Sequence, residues 1–371
     1  MKKFLPYAVI ALLAFAAYGP ILWNGAGFSN PDDVSVSQVP CCSFRPFLVL
    51  TYQFNARHGG WMLTNLGLHV LASWLLLAIA GPWAAAFFAV HPMAADAVAS
   101  VGGRSALLVA IAALASVWMF KKSKILAVGT FLALAGGSMF MDFGGFRAGI
   151  FKGLTQGQHF LYYLSTLAVY AIPHMFFPVG MTADPAVPYH PIIAIIFAGL
   201  ALAAFLIGLA RKEWRAGLWL LLLPLVPYAV IPLRDPFLDH RGYLCLAGAS
   251  IIIAKLLEFR PRLTAGILAA FIVLSLLRAH VYSSPINLYE DVVAKQPSWH
   301  SRINLAANYA REDRWYEAEY QLEIVTRETP QVAIAWTDLA MLRYLRHSAA
   351  EGNATLAEGD AYQRAHFQNV Q

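Results

Sequence analysis

The acidic residues of this chain are very unevenly placed: nine lie in residues 1–281 and twelve in the last 90. A water-soluble fold carries about a quarter charged residues, whereas 13% of this chain is charged and 59% is hydrophobic. The first 281 residues therefore cannot close around a single aqueous core. They divide naturally into apolar runs of about 20 residues, the length that crosses a bilayer as helix. We expect an all-α chain of two domains, a polytopic membrane helical bundle over 1–281 and a short soluble helical domain over 282–371.

Nine spans are expected: Phe4–Trp23, Trp61–Ala80, Pro82–His91 with flanking residues, Arg104–Phe120, Ile125–Met141, Pro191–Leu209, Gly217–Leu233, Tyr243–Leu257 and Thr264–Val281. The start imitates a secretory signal, with Lys2 and Lys3 before an apolar run; further spans follow at once, so it is read as a retained helix. Lys2/Lys3, Lys121/Lys122/Lys124, Arg211/Lys212/Arg215 and Arg260/Arg262 share the cytoplasmic side under the positive-inside rule only if 142–190 crosses an even number of times. Phe160–Val179, interrupted by Pro173, His174 and Pro178, is accordingly expected to be re-entrant or interfacial. This topology, that of a multi-pass membrane protein, puts the second domain on the non-cytoplasmic side. It also puts seven of the nine acids of the membrane part, Asp32, Asp33, Asp96, Asp142, Asp184, Asp235 and Asp239, on the outer face.

The net charge of +6 does not argue for nucleic acid, because the basic residues form short runs between apolar stretches, as topology signals do. Cys41, Cys42 and Cys245 make neither a disulfide framework nor a metal-ligand spacing.

In the second domain, Leu305, Ala306, Tyr309, Trp315, Ala318, Leu322, Val325 and Pro330 follow the spacing of a 34-residue tetratricopeptide unit. Leu339 and Ala340 recur 34 positions after Leu305 and Ala306. Such an array serves protein docking or caps the outer loops, and both readings stay open.

Several motifs appear in a fixed order. Asn24 to Asp33 (NGAGFSNPDD) follows the first span. Then come Phe44-Arg45-Pro46-Phe47, Thr64 to His69 (TNLGLH), and Phe88 to Pro92 (FAVHP) leading to Asp96-Ala97-Val98 and Gly103-Arg104. Asp239 to Leu244 (DHRGYL) opens the eighth span. Followed by tetratricopeptide repeats, the set resembles the transmembrane and tetratricopeptide-repeat proteins, GT-C glycosyltransferases that include protein O-mannosyltransferases and bacterial relatives. The resemblance runs from about Gly19 to Pro330. It implies transfer of a sugar from a polyprenyl-phosphate-linked donor to a protein hydroxyl on the non-cytoplasmic side. It further implies a catalytic base at Asp32 or Asp33. Where relatives carry Glu after the His-Pro motif this chain has Asp96, and Asp142 stands near the position of their Ser-Lys-Glu motif.

The chemistry is consistent with that implication. A hydroxyl becomes a competent nucleophile as a carboxylate removes its proton, and a lipid-phosphate leaving group calls for cations or hydrogen-bond donors where charge develops. Arg104 and Arg241, with His91, His240 and Arg45, are the candidates for the donor phosphate; Asp96, Asp239 and Asp142 are supporting acids. No metal ligand set is assigned; aspartates could hold a divalent ion, but no spacing calls for one. The partners expected are membrane lipid, the lipid-linked sugar and a protein acceptor docking on the repeats, with no nucleic acid. The reading from a different class is a non-catalytic membrane scaffold whose repeats organise an envelope or pilus assembly.

Overall fold

The computed structural model describes residues 4–23, 46–120, 122–125, 128, 156–185, 187–230 and 237–367. Asp32, Asp33, Arg45 and Asp142 lie outside these residues, as do Cys41, Cys42 and most of the span expected at 125–141. Every regular element among the described residues is helical, and the chain divides into two compact units, Met1–Ser283 and Ser284–Gln371.

In the first unit, α1 (Leu5–Tyr18) runs on into a 3-10 turn to Trp23, and α2 (Pro46–His58) precedes α3 (Trp61–Ala80). Two short helices follow, α4 (Pro82–Ala89) and α5 (Ala95–Ala99), and then α6 (Arg104–Phe120). A single helical run is formed by α7 (Gln156–Thr166), a π-helical segment Leu167–Ala171 and α8 (Ile172–Phe176). The unit is completed by α9 (Pro191–Ala210), α10 (Lys212–Leu222), α11 (Val226–Val230), α12 (Tyr243–Leu256) and α13 (Pro261–Val281).

Among the described residues, four helical segments are long and apolar enough to cross a membrane, Leu5–Trp23, Trp61–Ala80, Pro191–Ala210 and Pro261–Val281; a fifth is counted if Pro92–Ala99 and Arg104–Phe120, bent by 113°, make one span. The expectation of nine is not reached among the described residues, for identifiable reasons. The eight residues of α4 reach only about 12 Å and the fourteen of α12 about 21 Å, against a hydrocarbon core of about 30 Å. The expected span 217–233 is divided at Leu223–Leu225, where Pro224 and then Pro227 interrupt the backbone ladder.

Apolar side chains face outward along much of this unit, for example Ile192, Ile195, Ile196 and Leu200 on α9. Association between such helices therefore rests on close packing. The α10/α12 pair shows how: a Cβ at Gly248 would fall 2.3 Å from the Leu221 nitrogen and 2.5 Å from the Gly217 carbonyl oxygen, so the two backbones approach closely where Gly248 has no side chain.

The second unit consists of α14 (Pro285–Lys295), α15 (Trp299–Arg311), α16 (Trp315–Glu328), α17 (Ala333–Arg346) and α18 (Ala349–Phe367), each packed on the next. Ser298 caps α15 in a reciprocal box with Ser301, which satisfies amide groups that the first turn leaves without partners. Leu305, Ala306, Tyr309, Ala318, Leu322, Leu339 and Leu342 form the core. Across the α16/α17 seam, Glu319 accepts from Arg343 at 3.0 Å and from Arg346 at 2.9 Å, while Arg343 also reaches Glu323 at 2.6 Å and the buried Thr355 hydroxyl at 3.0 Å.

The bend between α5 and α6 depends on close approach at Gly103. A Cβ there would meet the Ala97 Cα at 2.5 Å and the Asp96 carbonyl oxygen at 2.6 Å, and backbone atoms cannot swing away as a side chain can. Gly103→Ala is therefore expected to lower the thermal stability of the full-length protein in detergent by about 1–3 kcal/mol or more. Gly266→Ala on α13, where nothing lies within 4 Å, should leave the melting temperature unchanged or slightly raised; equal behaviour of the two variants would contradict the packing at the bend.

Candidate functional site

Between α4 and α6 the chain is helical only in short pieces, and buried side chains hold it there. His91 caps the 3-10 turn Pro92–Ala94, its Nδ1 accepting from the Met93 N–H at 3.2 Å. Nε2 therefore carries the proton and donates to the Met175 carbonyl at 3.0 Å. The His91 carbonyl accepts from the Tyr18 hydroxyl, and Ser275 donates to the Val90 carbonyl at 2.8 Å.

Beyond α5, Asn65 donates to the carbonyls of Val98 and Ser100 at 3.2 and 2.7 Å, and Tyr52 donates to that of Val101 at 2.8 Å. Arg104, fully buried, donates from Nε to Asn65 Oδ1 at 2.7 Å and from Nη2 to the Trp61 carbonyl at 3.0 Å. Its guanidinium lies 5.0 and 5.3 Å from the ring centres of Tyr52 and Trp61, a cation–π arrangement.

Asp96, on α5, meets the 3-10 turn Asp239–Gly242. One carboxylate oxygen, Oδ2, accepts twice from residue 240: from its backbone N–H at 2.8 Å and from its imidazole Nδ1 at 2.7 Å. Since a carboxylate can only accept, Nδ1 carries the proton, and Nε2 points away from the pair. The His240 side chain remains 25% exposed. Among the described residues no hydrogen bond engages Nε2.

The same turn supplies Asp239, which is buried. Its Oδ2 pairs with Arg278 Nη2 at 3.2 Å and its Oδ1 accepts from the Tyr170 hydroxyl at 3.2 Å. The Tyr170 hydroxyl also lies 2.5 Å from the Thr182 carbonyl, so its single proton is shared between the two acceptors. Arg278 in turn donates to the Met181 carbonyl at 3.3 Å and the Tyr282 hydroxyl at 3.4 Å, with its guanidinium 5.1 Å from the Tyr282 ring centre. Burial pushes the Asp239 carboxyl up to about 7; the nearby Asp96 charge adds to this, while Arg278 and the Tyr170 hydrogen bond oppose it.

The sequence-chosen residues thus separate into four groups. Asp96, Asp239 and His240 come together. Arg104 and His91 are buried and hold the bend: the first donates to Asn65 and to the Trp61 carbonyl, and both ring nitrogens of the second are engaged. Arg241 stands beside His240 in sequence, with its guanidinium 5.9 Å from the Tyr228 ring centre. Asp32, Asp33, Arg45 and Asp142 lie outside the described residues. Sequence reasoning missed Arg278, Tyr170 and Tyr282. An arginine in the last turn of an otherwise apolar span was the available signal for the first. Tyr170 sits in a π-helical segment, a feature frequent at functional sites that no composition reveals. Among the described residues no group of three His, Cys, Asp or Glu is placed to hold a metal ion.

Chemically, the arrangement is an imidazole oriented by one carboxylate beside a second carboxylate neutralised by an arginine. Arg278→Met should expose the difference between the two. It leaves the Asp239 carboxylate buried without its counter-ion, at a cost of about 3–5 kcal/mol. A carboxyl whose folded-state pKa lies above its unfolded value favours the folded state at low pH and loses that contribution as pH rises through about 7. The melting temperature deficit of Arg278→Met in detergent is therefore expected to be small at pH 5 and large at pH 8, and Asp239→Asn in the same background should reduce the deficit at pH 8. Compared with protein-family models, curated proteins and solved structures, the chain finds no match.

Proposed function

We propose that the chain is a membrane glycosyltransferase of GT-C type, moving a sugar from a polyprenyl-phosphate-linked donor to a protein hydroxyl. The reaction takes place on the outer face of a bacterial inner membrane. The observation that carries this reading is the meeting of Asp96 with His240, 144 positions apart in the chain. These residues belong to two of the ordered motifs, and an acid–base pair that is partly open is equipment suited to hydroxyl transfer. The buried Asp239–Arg278 pair behind it anchors the turn that presents the imidazole.

In this reading the membrane domain is a polytopic helical bundle with a re-entrant or interfacial segment at 160–179, and Asp32 and Asp33 supply the base that activates the acceptor. Arg241 sits on the phosphate side of the donor. The second unit is a tetratricopeptide-type docking domain on the periplasmic side. Its exposed Tyr316, Tyr320, Met341 and Leu345, large apolar side chains facing solvent on α16 and α17, support protein docking.

The double variant Asp32→Asn/Asp33→Asn is expected to lose at least about 100-fold in sugar transfer with an unchanged melting temperature. Transfer is read as hexose-sized mass increments on envelope proteins from cells that do or do not make the chain. Undiminished transfer in the double variant would refute the assignment of the base. Masses independent of the chain, together with loss of function on deleting 284–371 alone, would favour the scaffold reading instead.

A further inference from the structure

We infer that His240 is a catalytic residue of this transfer, acting through Nε2 as the acid that protonates the departing lipid phosphate, and that Asp96 is its positioning residue. The inference rests on the glycosyltransferase reading above and adds to it an assignment of the second proton transfer.

Three observations carry it. The first is orientation: the Asp96 carboxylate takes the Nδ1 proton at 2.7 Å, which fixes the ring and turns Nε2 outward, as in other carboxylate–imidazole pairs that work at one nitrogen. The second is access. His91 and His69 are fully buried, and both nitrogens of each are engaged, those of His69 by the Tyr243 hydroxyl and the Ala89 carbonyl. His240 keeps a quarter of its side chain exposed. The third is charge. The ionisable groups gathered around the turn are Asp96 from α5, Asp239 and Arg241 on the turn itself, Arg278 from α13, and the phenols of Tyr170 and Tyr282. Two acidic side chains and the guanidinium of Arg278 thus surround the turn, and Arg241 follows His240 on it. The protonated ring is the form that can act as an acid.

The step balances as follows. The acceptor oxygen forms its bond to the anomeric carbon as the bond from that carbon to the phosphate oxygen breaks. The hydroxyl proton passes to the Asp32/Asp33 carboxylate. The Nε2 proton of His240 passes to the phosphate oxygen, so that the lipid phosphate leaves as a monoester bearing one proton. The imidazole then regains a proton from water, to which the carboxylic acid has returned its own.

The test uses the full-length protein in liposomes with a polyprenyl-phosphate sugar and a peptide acceptor. His240→Gln keeps the backbone N–H that Asp96 also holds, so the turn is retained. It should lower transfer by at least about 100-fold near neutral pH and abolish the decline of rate on the alkaline limb of the pH profile. His240→Ala should recover part of its rate on addition of imidazole, which a purely structural role would not allow, and Asp96→Asn should show a smaller loss that imidazole leaves unchanged. A His240→Gln enzyme with the wild-type rate and profile would overturn the inference while leaving the glycosyltransferase reading intact. So would a uniform loss at every pH with no rescue by imidazole. A wild-type protein that consumes no polyprenyl-phosphate sugar would overturn the reading itself and this inference with it.

Discussion

A helix broken inside an apolar bundle leaves peptide groups that water cannot reach, and each one left unpaired costs about 1–3 kcal/mol. The stretch from His91 to Arg104 is such a break, buried along nearly its whole length. Its carbonyls at Val98, Ser100 and Val101 are met by the side chains of Asn65 and Tyr52, and that of Asp96 by the Ser100 hydroxyl at 2.7 Å. Arg104 holds Asn65 in place from the other side. With the break satisfied in this way, a five-residue helix can stand at an angle to its neighbours and carry Asp96 to a turn that is distant in sequence. Everything proposed about chemistry depends on that delivery.

The two buried arginines do opposite jobs with the same group. Arg104 meets a neutral amide, a carbonyl and two aromatic rings, and its rigid fork with several donors makes this possible where a lysine would not suffice. Arg278 is a counter-ion, and with Asp239 it forms a pair whose removal as a unit would be tolerated far better than the loss of either member. Sequence reading offered Arg104 for the phosphate because a lipid-phosphate leaving group calls for a cation. The structure gives that arginine a structural duty.

What could be read from residues alone divides along physical lines. The all-helical character and the presence of membrane-length helices followed from apolar runs, because hydropathy is additive along a chain. Span number did not follow: Pro82–Ala89 and Tyr243–Leu256 are apolar, yet their lengths are set by Gly81, the Pro92 break and the turn at 257–260, and composition averages over such stops. Asp96, Asp239 and His240 were chosen from motifs, but their partnership was not, since pairing over 144 positions is a tertiary fact. Tyr170 could not be anticipated, because its direction is set by a π-helical turn whose extra residue rotates the face that a regular helix would present.

The double grip of Asp96 on residue 240 has a consequence for variation. One bond goes to the main chain and would persist with almost any side chain; the other goes to the imidazole alone. The turn therefore belongs to position 96, while only the chemistry belongs to position 240. A lineage that ceased to need the activity could let residue 240 drift and keep its architecture, but could not do the same at 96. An intact Asp96 beside an altered 240 would mark descendants that have kept the scaffold and given up the reaction.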